Sequence, residues 1–220
     1  MLGTLPINFW QTISRESWYN RGMKAQLTKL QRDIIVGTVL GDGNLEYTQW
    51  GSRLQIKQAE CHKEYVFWIN AHLRSICRAF PKQRKDNNQW YFGTQYLAEL
   101  TDFYRRFYPR KKKIVPRDIS SMFRNPLSLA IWYMDDGRLD WRPKDHYAFT
   151  LSTDSFLLNE VGILRNMLKK NFNVECNIHS PLCRGKRYPK LYIGVSGRDR
   201  FISLVKPYIV SCFSHKIPPL

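Results

Sequence analysis

Two stretches of the chain stay apolar where the rest alternates. Residues 35–43 (IVGTVLGDG) and 129–137 (LAIWYMDDG) are runs of helical length, each ending in an acid and a glycine. In the first, Leu30, Ile34, Ile35, Val36, Val39 and Leu40 cover more than one helical face, the mark of a helix buried on most sides. Thr28 is placed to cap its start, and Gly41-Asp42-Gly43-Asn44 to stop it. A carboxylate at the foot of such a helix is costly unless it has a task there. Two strand candidates follow, joined by a turn near residues 49–52; the second, over 53–59, is half-buried, with Arg53, Gln55 and Lys57 outward against Leu54 and Ile56. A helix is predicted over 62–80, with Val66, Ile69, Leu73 and Ile76 inward and Pro81 ending it. A hairpin turning at Asp86-Asn87-Asn88 comes next, then a helix over 96–107.

The order then recurs. After Pro126 a helix is predicted over 127–135, a hairpin from 138–141 and 146–153, and an amphipathic helix over 156–172. A second hairpin from 174–179 and 190–196 and a helix over 198–210 complete the half. Glu64-Tyr65-Val66 aligns with Asn159-Glu160-Val161, and Phe92-Gly93 with Ile193-Gly194. Lys113-Ile-Val-Pro116 and Lys216-Ile-Pro218 each follow the last helix of a half. The pattern predicts an α+β protein of two αββαββα repeats, over 29–118 and 119–220, preceded by an extension over 1–28.

Charge narrows the partner. Lys plus Arg number 35 against 18 Asp plus Glu, a net charge of +17 over 220 residues. The excess is spread over many segments, as expected for a globular protein that binds a polyanion, nucleic acid first of all. No apolar run approaches the roughly 20 residues that span a bilayer, so no membrane role is expected. Five cysteines without framework spacing fit a reduced, intracellular compartment. Cys176, His179 and Cys183 have a spacing that zinc could use, with Cys212 or His215 as a fourth ligand, but they fall in a strand-like stretch where a small buried Cys is ordinary.

With its two acid-tipped runs, repeated element order, post-helix lysines and basic charge, the chain resembles the single-chain, two-repeat LAGLIDADG homing endonucleases from about Lys29 to Pro218. The resemblance implies that the two motif helices pack side by side at the repeat interface. It also implies that the antiparallel sheets form a saddle over the major groove of a long pseudo-palindromic site. The activity implied is a metal-dependent double-strand break with short 3′ overhangs, at the insertion site of the host intron. The enzyme would act as a monomer on double-stranded DNA, with Mg²⁺ (or Mn²⁺) and an organellar home, mitochondrion or chloroplast. An RNA-binding maturase acting on intron RNA with the same fold is the alternative.

The last acids of the motifs, Asp42 and Asp136, are the implied metal ligands. Gly41 and Asp135 flank them at the metal site, and Asp135 is read as a structural acceptor near the helix ends. The motif's small positions are Gly37 and Gly41 in the first repeat but Ile131 and Asp135 in the second, so an unequal helix interface is expected. Lys113, with Lys112 as competitor, and Lys216 match the family's active-site lysines. Gln58 matches a water-positioning residue, with Ser152 or Thr153 as its counterpart, so the two half-sites are not expected to be chemically identical. Base and phosphate contacts are expected from Arg53, Gln55, Lys57, Lys82, Arg84, Lys85 and Tyr91 in the first repeat. In the second they are expected from Arg138, Ala148, Thr150, Glu175, Asn177, His179, Arg184, Lys186, Arg187, Lys190 and Tyr192.

Overall fold

The structure, a computed structural model, describes residues 26–142, 146–183 and 185–219. Most of the extension expected over 1–28 therefore lies outside the described residues, as does Arg184. Helix α1 (Lys29–Leu40) begins in a capping box, with the Thr28 hydroxyl accepting from the Gln31 amide and the Gln31 side chain from the Thr28 amide. Strands β1 (Asn44–Thr48) and β2 (Gly51–Gln58) form a hairpin. Helix α2 (Lys63–His72), strands β3 (Lys82–Gln83) and β4 (Trp90–Gly93) and helix α3 (Ala98–Phe107) complete the first half. A short helix α4 (Ile119–Met122) leads to α5 (Pro126–Asp136), which has Asn125 as its cap and Pro126 at its first position.

The second half runs β5 (Gly137–Arg142), β6 (His146–Ser152), α6 (Leu158–Phe172), β7 (Asn177–His179), the small ribbon β8 (Leu182–Cys183) and β9 (Lys186–Arg187), β10 (Lys190–Ile193) and α7 (Val195–Val205). Each half carries a four-stranded antiparallel sheet, ordered β1-β2-β4-β3 and β5-β6-β10-β7. The expected element order and fold class are thus observed. Helix α4 is tied to the second half, because Asn171 Nδ2 donates to the carbonyls of Ser120 and Phe123 at 2.9 and 2.7 Å.

The helix predicted over 62–80 ends at His72. The His72 ring bonds the Trp68 carbonyl at 2.8 Å, and a short 3-10 turn follows. Cys77 is extended and bridges to Thr94, and Gln95 N–H takes the Ile76 carbonyl at 2.8 Å. Tertiary pairing has overridden helical periodicity here. Register also corrects one alignment. Ile56 pairs with Phe92 and Leu151 with Leu191, all four buried, so Phe92 matches Leu191 and not Ile193.

Helices α1 and α5 pack face to face at the centre. All of α1 from Gln31 on is buried except Arg32, and so is α5 from Leu127 to Met134. The seam is locked at its far end, where Ser128 Oγ donates to the Asp33 carbonyl (2.6 Å) and Asn125 Nδ2 to the Asp33 carboxylate (2.7 Å). Its closeness depends on Gly37 and Gly41. A Cβ on Gly37 would lie 2.8 Å from the Ser128 carbonyl oxygen and 3.1 Å from Ile131 Cβ. One on Gly41 would lie 2.4 Å from the Asp135 carboxylate. The unequal interface expected from the motifs is the one observed.

We expect Gly37→Ala to lower stability by about 1–3 kcal/mol in denaturant unfolding, because the obstacle is backbone and the helices must part. Gly162→Ala, on α6 with nothing within 4 Å, should raise stability by roughly 0.5–1 kcal/mol through helix propensity alone.

Candidate metal and nucleic-acid site

The close seam brings Asp42 and Asp136 to the same end of the helix pair. Asp42 is exposed and Asp136 half-buried. Gln58, the last residue of β2 and nearly buried, donates from Nε2 to Asp42 Oδ2 at 2.9 Å. His62 Nδ1 lies 3.4 Å from Gln58 Oε1. Asp135 is half-buried as a residue, but its carboxyl is turned inward. It accepts from the Asp42 amide at 3.2 Å and from Gln58 Nε2 at 3.4 Å, and it lies beside the fully buried Tyr65. The Tyr65 hydroxyl has no partner of ordinary hydrogen-bond geometry among the described residues.

The two lysines hold similar places, offset by one residue along the motif. Lys113 Nζ donates to the Gly41 and Leu40 carbonyls at 2.7 and 3.4 Å. Lys216 Nζ donates to those of Met134 and Tyr133 at 2.5 and 3.4 Å. Each meets carbonyls of the last turn of its own motif helix, where a cation is favoured, and the Tyr133 carbonyl also accepts from the Gly137 amide. Lys112 is exposed.

Gln58 has no match in Ser152. The connection from β5 to β6 is one residue longer than that from β1 to β2, which shifts the register. Leu54, Ile56 and Gln58 face inward, and so do Phe149, Leu151 and Thr153. Thr153 is therefore the register equivalent, and its hydroxyl donates to the Pro189 carbonyl at 2.5 Å. Ser152 faces outward, where its hydroxyl meets Lys190 Nζ at 3.5 Å.

Electrostatics mark the centre. Burial, with the Asp42 charge adding to it, pushes the Asp136 carboxyl up to about 7, while Lys113 and Lys216 oppose the rise. The same two causes hold Asp135 well above the usual carboxylate range. Burial draws both lysines below their ordinary value against the pull of the three carboxylates. The donor set offered is all oxygen, which suits a hard divalent ion. Among the described residues no three His, Cys, Asp or Glu side chains are grouped to hold an ion by themselves. An ion here would take its remaining ligands from phosphate and water, the habit of Mg²⁺.

The outward sheet faces carry a groove each. The first is lined by Arg53, Gln55, Lys57, Arg84, Lys85 and Tyr91, and Lys82 stands exposed on the neighbouring β3. The second is lined by Arg138, Ala148 and Tyr192, with Arg142, His146 and Arg198 that sequence reasoning missed. Thr150 shares that face, and Asn177 and His179 lie exposed on β7, with His179 stacked on Tyr192 at 4.5 Å. Lys186 and Arg187 sit exposed on the ribbon. Lys190 pairs with Asp154 at 3.3 Å. Glu175 is different: it precedes β7 and pairs with Lys169 of α6, away from the strand positions.

Two acids on these faces were also missed. Glu46 accepts from Arg53 Nε (2.5 Å) and Gln55 Nε2 (2.8 Å). Asp140 accepts from Arg138 (2.5 Å) and Thr150 (3.2 Å). They hold the same register place in the two sheets, opposite Arg53 and Ala148. The outward alternation of β1 was the available signal for Glu46.

The perturbed acid gives a pH test. Unfolded Asp136 is ionised from pH 5 to 8, whereas the folded carboxyl loses its proton only as pH passes about 7. The folded state binds more protons in this window, so stability falls as pH rises. In metal-free buffer, wild type should lose roughly 2 kcal/mol relative to Asp136→Asn between pH 5 and 8, read from unfolding curves of both proteins.

Residues 32–201 match the LAGLIDADG DNA endonuclease family. DNA endonuclease I-ChuI of Chlamydomonas applanata is 28% identical over 210 residues, covering 87% of this chain and 95% of its own. Cytochrome b mRNA maturase bI2 of Debaryomyces hansenii is 29% identical over 203 residues, covering 87% of this chain and 74% of its own. Among solved structures, the homing endonuclease I-WcaI bound to its DNA recognition sequence superposes with a TM-score of 0.76 at 26% identity, over 93% of both chains. A variant of I-DmoI, solved with its target DNA in the presence of Mg, shares the fold at a TM-score of 0.50 and 14% identity, over 81% of this chain and 96% of its own. Matched over most of its length, this chain belongs to the LAGLIDADG DNA endonuclease family.

Proposed function

We propose that the chain is an intron-encoded, site-specific DNA endonuclease that cuts both strands of a long pseudo-palindromic target with Mg²⁺ or Mn²⁺. One observation carries this reading: Asp42 and Asp136 reach the same end of the central helix pair from separate halves, each with a lysine on carbonyls of the last turn before it. Asp42 and Asp136 would hold a divalent ion, which would lower the pKa of a bound water and neutralise charge on the phosphoryl oxygens. Gln58 orients the Asp42 carboxylate and any water beside it. Lys113 and Lys216 place positive charge where it can meet the scissile phosphates.

The basic outward faces of β1–β6 and β10 would bind the duplex. The outward side chains differ between the sheets, which fits a target that is only pseudo-palindromic. Because both motif helices lie in one chain, a monomer completes the pair of acids. An organellar intron as the home of the gene, in a mitochondrion or chloroplast, is part of the same proposal, supported by the kinship with the cytochrome b mRNA maturase.

The reading is tested on a duplex rebuilt from the sequences that flank the reading frame, incubated with Mg²⁺. Asp42→Asn and Asp136→Asn should each slow double-strand cleavage by at least about 100-fold. Cleavage retained by either single variant would overturn the assigned roles. Binding to that duplex should weaken by about 10³-fold or more between 50 and 200 mM salt. The maturase kinship also favours a second activity on intron RNA. Splicing of the host intron that persists with Asp42→Asn plus Asp136→Asn, after cleavage is lost, would identify it.

A further inference from the structure

The two halves present their acids in different surroundings, and the difference is forced by packing. Gly41 and Asp135 hold the same motif position, one residue before Asp42 and Asp136. Across the seam the Asp135 side chain lies where a Cβ on Gly41 would stand, 2.4 Å from its carboxylate oxygen and 2.5 Å from its Cβ. Two side chains cannot share that space. If one repeat carries an acid there, the other must carry glycine, so the contact can be made only once.

The contact reaches out of its own repeat. Asp135 is on α5, yet its Oδ2 accepts from the Asp42 amide at 3.2 Å and its Oδ1 faces Gln58 Nε2 at 3.4 Å. Gln58 holds Asp42 Oδ2 at 2.9 Å, with His62 at its other end. The Asp42 side therefore has backbone and carboxylate both fixed. The Asp136 side has Gly41 in place of Asp135. In place of Gln58 it has Thr153, whose hydroxyl is turned to Pro189.

We infer that Asp135 is a positioning residue for the opposite half-site, orienting Asp42 and Gln58, and that the two DNA strands are consequently cut at unequal rates. It acts across the repeat interface and touches no DNA. The inference rests on the endonuclease reading above.

Single-turnover cleavage of the flanking-sequence duplex, with a different dye on each strand, tests it. Wild type should nick one strand faster than the other. Asp135→Ala should slow the faster strand by about 10–100-fold, the usual effect of losing an outer partner of a metal ligand, and leave the slower strand within about 2-fold. Asp135→Asn keeps one acceptor oxygen and should fall between. Equal slowing of both strands, or no slowing of either, overturns the inference while leaving the endonuclease reading intact. A wild-type protein that cuts neither strand overturns both. If Asp135→Ala does not fold, as judged by its unfolding curve, the strand ratio of the near-isosteric Asp135→Asn decides.

Discussion

Everything in this protein is arranged around the distance between two buried helices. Gly37 and Gly41 put no side chain where α1 comes closest to α5, and the backbones close until a single methyl group would clash. That closeness brings two carboxylates from different halves together. It also explains why the motif helices are apolar nearly all round: each has its partner helix on one side and its own half's sheet and helices on the others. Tyr133 of α5, for example, packs edge-on to both Phe149 of β6 and Phe201 of α7.

The closeness has an electrostatic cost, and the fold answers it with cations. Burial already disfavours charge on Asp135 and Asp136, and the Asp42 charge beside them raises their proton affinity further. Lys113 and Lys216 are delivered by the segments after the last helix of each half, and they bind carbonyls in the last turn or cap of the motif helices. A protein without metal is thus held in a state that favours keeping a proton. A divalent cation with phosphate oxygens would relieve the same repulsion that the seam creates. Acid also appears on the outer faces, where Glu46 and Asp140 hold the arginines Arg53 and Arg138 in fixed positions. A strongly basic surface so pinned is better suited to reading bases than one of free, solvated side chains.

Much of this was legible in the chain itself. Continuous apolar runs ending in an acid and glycine can be read without a partner, because burial on all sides leaves no polar face. Alternation in β2 and β6 gave the strands, and the two lysines were found by their place after the last helix of each half. Legibility failed wherever a non-local pairing decided. Residues 73–80 keep a helical apolar period, yet Cys77 leaves the helix to pair with Thr94. The sequence left Ser152 and Thr153 open as the counterpart of Gln58, and Ser152 is the one at the same distance from its motif acid. One added residue in the β5–β6 connection moved Thr153 into that place, because a shift of one in a strand exchanges its faces.

The sequence by itself determined the two-repeat order, the buried central helices and the acids at their ends, since these depend on local periodicity and on the identity of single residues. Tertiary structure alone decided which repeat's side chain enters which half-site. Asp135 is next to Asp136 in the chain but reaches Asp42 and Gln58 across the seam. No local pattern encodes that reach. It follows from two helices meeting closely enough that only one of the two equivalent positions has room for a side chain.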